Sequence, residues 1–177
     1  RNLRRVYISK EVKRIGTGAF YSCQELEFVY LSDGVETIED SAFVNCKNLT
    51  SVQLSDDLEV LEYGVFKRCS KLKQVNIPRK LKKIESYAFS GCSSLKNIDL
   101  PDGIDRENLD ESVFHGCMKM ADKDGFVIIK EVLWYYCGSA HNVEIPKGVK
   151  KISGEAFAEC NKLAHINIPK SVKEMCF

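Results

Sequence analysis

The stretch SAFVNCKNLTSVQL, residues 41–54, sets Phe43, Cys46, Leu49, Val52 and Leu54 at fixed offsets from one another. The same frame returns as GAFYSCQELEFVYL, GVFKRCSKLKQVNI, YAFSGCSSLKNIDL and EAFAECNKLAHINI. Phe20, Phe43, Phe66 and Phe89 follow one another at 23 residues, Phe114 comes after 25, and Phe157 opens the frame again. Cys23, Cys46, Cys69, Cys92, Cys117 and Cys160 each stand three residues after one of these rings. Five residues before the rings are Ile15, Ile38, Leu61, Ile84, Leu109 and Ile152; six after them are Leu26, Leu49, Leu72, Leu95, Met120 and Leu163. The two extra residues before Phe114 lie between Ile104 and Leu109, a loop insertion that leaves the frame intact.

A fixed period of about 20–29 residues around L-x-x-V-x-L describes a solenoid in which each repeat is one coil. In Leu49-x-x-Val52-x-Leu54 the alternation sends Val52 and Leu54 inward and Ser51 and Gln53 outward, as in a half-buried strand. Stacked coils then pair these strands in parallel. All four prolines (Pro78, Pro101, Pro146, Pro169) come just after that strand, where a missing N–H ends the ladder at little cost; Ser9, Ser32 and Ser55 hold the slot elsewhere. A second apolar pair, Val35 and Ile38 or Leu81 and Ile84, lines the opposite wall. The A-F-x-x-C segment places Phe and Cys on one face of a helical or 3-10 turn. With coils about 4.8 Å apart, equivalent phenylalanines stack near the ~4.5–7 Å optimum for aromatic pairs. A free thiol packs beside them as a small hydrophobe.

Composition narrows the function classes. The chain has 177 residues, 44% of them hydrophobic and 29% charged, which suits one soluble domain with a substantial core. Lys+Arg 26 against Asp+Glu 25 gives no field that selects nucleic acid or an anionic membrane. No apolar run approaches the roughly 20 residues that span a bilayer, so no membrane insertion is expected. No signal peptide is visible, and the chain does not begin with Met.

The frame resembles the BspA-type leucine-rich repeats, whose repeat runs V-x-x-I-x-x-x-A-F-x-x-C-x-x-L-x-x-I-x-I-P, from Leu3 to Met175. The resemblance implies a large secreted or surface protein engaged in adhesion or protein binding, with no shared catalytic motif. The fold class expected is an α/β solenoid. It is a right-handed leucine-rich-repeat superhelix with a parallel β-sheet face, short helical or 3-10 turns and little long helix. Residues 1–177 form one domain of about seven coils. The chain starts and stops within the repeat without an obvious polar cap, and is expected to be part of a longer array.

One stretch departs from the frame: DGFVIIKEVLWYYCGSAHNVEIP, residues 124–146, loses the usual strand and proline. Phe126–Ile129 and Val132–Tyr136 around Lys130-Glu131 read as a β-hairpin, although Lys-Glu is poor chemistry for a two-residue turn. Trp134 and Cys137 also lie 23 residues before Phe157 and Cys160, so a shortened coil is the other reading. Either sends Trp134 into the core.

Chemistry has few footholds. Neighbouring ladder cysteines could approach disulfide reach, but each would have two equal neighbours. Cys176 lies off the ladder, and Cys137 as well if the hairpin forms; these are the better candidates for reactive thiols. There is no C-x-x-C, and His115, His141 and His165 fall in different phases of the repeat, so no metal or other cofactor is expected. Cys117 beside His115 should point inward, away from any base. The basic run KLKQVNIPRKLKK, residues 71–83, meets Glu36 and Glu59 in the register of Lys82, which makes it a solvated face. The sequon at Asn48 overlaps core Leu49.

The outward strand positions remain: Arg5, Tyr7, Phe28, Tyr30, Ser51, Gln53, Gln74, Asn76, Asn97, Asp99, Asn142, Glu144, His165 and Asn167. Solenoids bind along such a face. Tyr7, Phe28 and Tyr30 form an aromatic patch of the kind that anchors partners, and Gln53, Asn76 and Asp99 continue it with hydrogen-bonding groups. The expectation is a non-catalytic extracellular or cell-surface module that binds a host or matrix protein or a glycan. The alternative is a rigid stalk displaying another domain. An enzyme would need Cys137 or Cys176 as a thiol of depressed pKa.

Overall fold

The computed structural model describes residues 2–176. Each of the first four coils contributes a longer front strand and a two-residue back strand. Along the first four coils these are β1 (Arg5–Ile8), β2 (Arg14–Ile15), β3 (Phe28–Leu31), β4 (Thr37–Ile38), β5 (Ser51–Gln53), β6 (Val60–Leu61), β7 (Gln74–Asn76) and β8 (Lys83–Ile84). The front sheet is β1-β3-β5-β7 and the back sheet β2-β4-β6-β8, all parallel. Register advances by one repeat at each step: Val6 faces Val29, Val29 faces Val52, and Val52 faces Val75. All four point inward and are buried. The expected second wall is present, with Ile15, Ile38, Leu61 and Ile84 in line and Leu109 bridging to Ile84.

The A-F-x-x-C segments are not helical. Among the described residues, helix amounts to the 3-10 turns Arg106–Asn108, which folds the insertion before Phe114, and Met118–Met120. The hydrogen bonds give the reason. Ala42, Val44 and Cys46 donate within their own coil, to Glu39 O, Ser41 O and Phe43 O. Between them, Ser41, Phe43 and Asn45 donate to Tyr63 O, Val65 O and Lys67 O of the next coil. Aiming alternate amides along the solenoid axis requires left-handed residues on both sides of the ring. Gly18, Ser41, Gly64, Tyr87 and Ser112 take φ of 54–62°, and Ser22, Asn45, Arg68, Gly91 and Gly116 take φ of 55–76°. For an L-residue that conformation costs roughly 1–2 kcal/mol, offset here by a third inter-coil ladder. The fold is therefore a β-solenoid bonded on three walls.

Inside it the rings stack as the spacing predicts. Successive centroids of Phe20, Phe43, Phe66, Phe89 and Phe114 lie 5.0, 5.5, 5.7 and 5.9 Å apart, with planes within 17° of parallel. Phe43, Phe66, Phe89 and Phe114 are fully buried, as are Cys46, Cys69, Cys92 and Cys117. Phe20, Cys23, Phe157 and Cys160, at the outer coils, are half-buried.

The irregular stretch is a hairpin, β9 (Phe126–Ile129) and β10 (Val132–Tyr136), paired antiparallel. Lys130 and Glu131 both take positive φ, 49° and 64°, the type I′ geometry that such a turn demands whatever residues occupy it. Every residue of β10 is buried because the hairpin has a core on each side. Val127, Val132, Trp134 and Tyr135 close the core of the first coils, where Trp134 meets Phe114 edge-on at 5.6 Å. Phe126, Leu133 and Tyr136 open a second core with Val143, Ile145, Val149, Ile152 and Ala156. Trp134 enters the core as expected, but Tyr136 takes the ring position of the following coil. Its N–H donates to Ala156 O, and its ring lies 5.8 Å from Phe157.

After the hairpin, β11 (Asn142–Glu144) pairs with β13 (His165–Asn167) in a separate front sheet. Between them in sequence is β12 (Lys151–Ile152); with β14 (Glu174–Met175) it joins the hairpin in the order β14-β12-β10-β9. Of the seven front-strand positions expected from sequence, Asn97–Asp99 is not a strand. Its coil carries the two-residue insertion, and no strand pairs with it from the far side.

Candidate binding face

Parallel register turns the outward positions of the first four coils into two columns, Arg5–Phe28–Ser51–Gln74 and Tyr7–Tyr30–Gln53–Asn76. Tyr7 is 66% exposed and Tyr30 41%, while Phe28 is half-buried beneath them. The Tyr7 ring lies 5.9 Å from Phe28 and 6.4 Å from Tyr30, tilted by 56° and 39°. The three rings thus form a ridge of apolar edges. Gln53 is exposed directly beyond Tyr30. Arg5 heads the Phe28 column and makes no ion pair among the described residues.

Asn76 and Asp99 do not complete this face. The Asn76 amide folds back on the preceding coil, accepting from Leu54 N–H at 2.6 Å and donating to Leu54 O at 3.3 Å. It substitutes for a backbone pair where the strand ends, which holds the amide against the preceding coil. Asp99 lies off the sheet, in a cleft with Ile77, Arg79 and Pro101. Asn142, Glu144, His165 and Asn167 line the separate sheet beyond the hairpin.

The ladder cysteines have a second role that hydrophobicity alone did not reveal. Four of these thiols donate to the carbonyl of the ring residue one coil back: Cys46 to Phe20 O and Cys69 to Phe43 O at 3.1 Å, Cys92 to Phe66 O and Cys117 to Phe89 O at 3.2 Å. Cys160 does the same to Tyr136 O at 3.5 Å. The signal in the sequence was the invariant offset of Cys from Phe, which a merely small apolar residue would not require. Burial pushes the Cys69 and Cys92 thiols well up, and Cys117 to about 12. Cys137, exposed and off the ladder, is raised by partial burial too, the reverse of an activated thiol.

Polar residues elsewhere are committed to neighbouring coils. Within the basic run Lys82 pairs with Glu59 at 2.7 Å and Lys80 with Asp57 at 2.6 Å, each one coil back; Lys13 pairs with Glu36 of the next coil at 3.2 Å. His115 Nδ1 stands 3.7 Å from Glu155 Oε2, and its ring meets Tyr135 edge-on at 4.9 Å. Tyr87 OH reaches Glu155 at 3.3 Å and Tyr135 OH reaches Glu159 at 2.9 Å, which ties the two stacks together across the hairpin. Burial and the Glu159 carboxylate raise the Tyr135 phenol. Among the described residues no group of three or more His, Cys, Asp or Glu converges to hold a metal ion. No helix among the described residues is long and apolar enough to cross a membrane.

Comparison with known proteins agrees with this geometry. The family model for the BspA type leucine rich repeat region matches six copies over residues 1–121 and 125–176, leaving out residues 122–124 before the hairpin and residue 177. A crystal structure of a Treponema pallidum leucine rich repeat protein superposes with a TM-score of 0.68 at 25% identity, over 99% of this chain and 74% of that one. A leucine rich cell surface protein from Faecalibacterium prausnitzii gives 0.67 at 25% identity, over 98% of this chain and 56% of that one. The pneumococcal vaccine antigen PcpA shares the fold alone, with a TM-score of 0.60 at 18% identity over 98% of this chain and 57% of that one. No match was found among curated proteins. With the Phe–Cys ladder on the inside and the family model over nearly all of its length, the chain belongs to the BspA type leucine rich repeat family.

Proposed function

We propose that the chain is a non-catalytic binding module of a secreted or cell-surface protein, adhesive in role, which engages a host or matrix protein or a glycan through the front sheet. One observation carries the reading: Tyr7, Phe28 and Tyr30 form a contiguous aromatic ridge whose two tyrosines are exposed, beside Arg5, which has no ion pair among the described residues. Aromatic residues and arginine are enriched among the residues that dominate interface energies. Gln53 supplies a hydrogen-bonding rim. The burial of Cys46, Cys69, Cys92 and Cys117, with each S–H given to a carbonyl, supports a structural use of cysteine. The printed description of the Faecalibacterium relative as a cell surface protein supports the localisation.

The test is the triple variant Tyr7→Ala/Phe28→Ala/Tyr30→Ala, assayed on immobilised matrix proteins, a glycan array and host cells. Binding should fall at least roughly tenfold, since each truncated hot-spot residue costs about 2 kcal/mol or more. The stacking of five rings through the axis favours a second reading, a rigid stalk that displays another domain. On that reading the triple variant leaves all binding unchanged.

A further inference from the structure

The front sheet opens at one place inside the first stack. At each earlier junction the residue before the strand donates across: Glu27 N–H to Arg4 O at 2.8 Å, Thr50 N–H to Glu27 O at 2.9 Å, and Lys73 N–H to Thr50 O at 2.9 Å. Lys96 breaks the series. None of the backbone N–H groups of residues 96–100 bonds to another described residue, and β7 pairs only with β5. Yet the same two coils stay joined on their other walls. Phe89 N–H reaches Val113 O at 3.1 Å, Asp110 N–H reaches Ile84 O at 3.0 Å, and the Phe89 and Phe114 rings lie 5.9 Å apart. On the front side the coils are bonded just before the strand position, Ser94 N–H to Ser70 O at 3.2 Å, and among the described residues no backbone N–H of residues 96–100 continues the series. Beside the opening is a cleft of about 560 Å³, with Ile77 and Arg79 on one bank and Asp99, Leu100, Pro101 and Asp102 on the other.

We propose that this gap is a strand-docking site, in which an extended acidic peptide adds to the free edge of β7. A sheet edge with unpaired N–H and C=O groups is a template for another strand. Here the template has two banks, the edge of β7 and residues 96–100. The acidic preference comes from the end where the strands begin. Lys73 and Lys96 are exposed there, and neither is in an ion pair among the described residues, whereas Lys80 and Lys82 are each paired to an acid one coil back. This site is separate from the aromatic ridge and does not depend on it.

The experiment pans a displayed library of random dodecapeptides on the whole chain and measures selected synthetic peptides by fluorescence anisotropy. Asn97→Pro and Asp99→Pro delete N–H groups that the free protein does not use, so Tm should stay unchanged while peptide affinity falls roughly tenfold for each lost bond. Charge reversal with Lys73→Glu/Lys96→Glu should weaken acidic peptides by a similar factor, and bound peptide should slow hydrogen exchange across residues 73–77 and 96–100. The aromatic triple variant should bind these peptides normally, which separates failure here from failure of the ridge. The proposal is overturned if amides 97 and 99 already exchange as slowly as those of Ser51–Gln53. It is also overturned if selected peptides ignore the proline variants, if they carry no acidic bias, or if the prolines abolish only a concentration-dependent dimer.

Discussion

The coils before the hairpin and those after it obey one repeat and differ in everything that neighbours decide. Phe66 and Cys69 are wholly buried between coils on both sides, while Phe157 and Cys160 hold the same repeat positions half-buried. Val52 is 4% exposed on the inner side of β5; Ile166, its equivalent on β13, is 39% exposed. In a solenoid, burial belongs to the stack and not to the residue. The hairpin sharpens the contrast by dividing the interior into two cores, facing the longer stack with Trp134 and the shorter with Tyr136.

The contrast should show first in core truncation. Phe66→Ala removes a ring stacked on both faces and should cost about 3–5 kcal/mol, read from urea unfolding, whereas Phe157→Ala should cost less than half of that. Equal losses would break the comparison. Alkaline pH should separate the stacks next. A thiol whose pKa is raised by folding keeps its proton after the unfolded chain has lost it. Its stabilisation is complete below the ordinary thiol value near 9 and declines as pH climbs toward about 12, the value for Cys117. Each of Cys69, Cys92 and Cys117 should then subtract up to about 1.4 kcal/mol per pH unit above 9. Thermal melts from pH 8 to 11 should fall steeply, and the triple alanine variant should flatten the fall relative to its own value at pH 8. The smallest effect lies in the hairpin. Lys130→Asn/Glu131→Gly suits a type I′ turn and should stabilise by about 1 kcal/mol, with slower exchange of β9 and β10 amides as the local readout.

Much of this was legible because periodicity reports burial directly. The Phe–Cys offset gave the stacked interior, alternation around Val52 gave the front sheet, and two apolar runs gave the hairpin despite its turn residues. What sequence concealed were features set by the backbone of adjacent coils. KNIDL carries the same alternation of polar and apolar residues as KQVNI, yet residues 97–99 do not pair, because pairing depends on how two coils meet. Asn76 looked like a free amide until its carbonyl was found on Leu54 N–H. The two left-handed columns left only a faint trace, Gly, Ser and Asn recurring at two offsets from the ring, diluted by Tyr87 and Arg68.

Those columns have a consequence for chemistry outside biology. At Tyr87 and Arg68 the main chain holds the shape that mirror-image amino acids prefer, and ribosomal synthesis has no such monomers to offer. A chemically assembled version with D-residues at these positions would relax where the natural polymer is strained. The solenoid would then be limited less by its architecture than by the single enantiomer from which cells must build it.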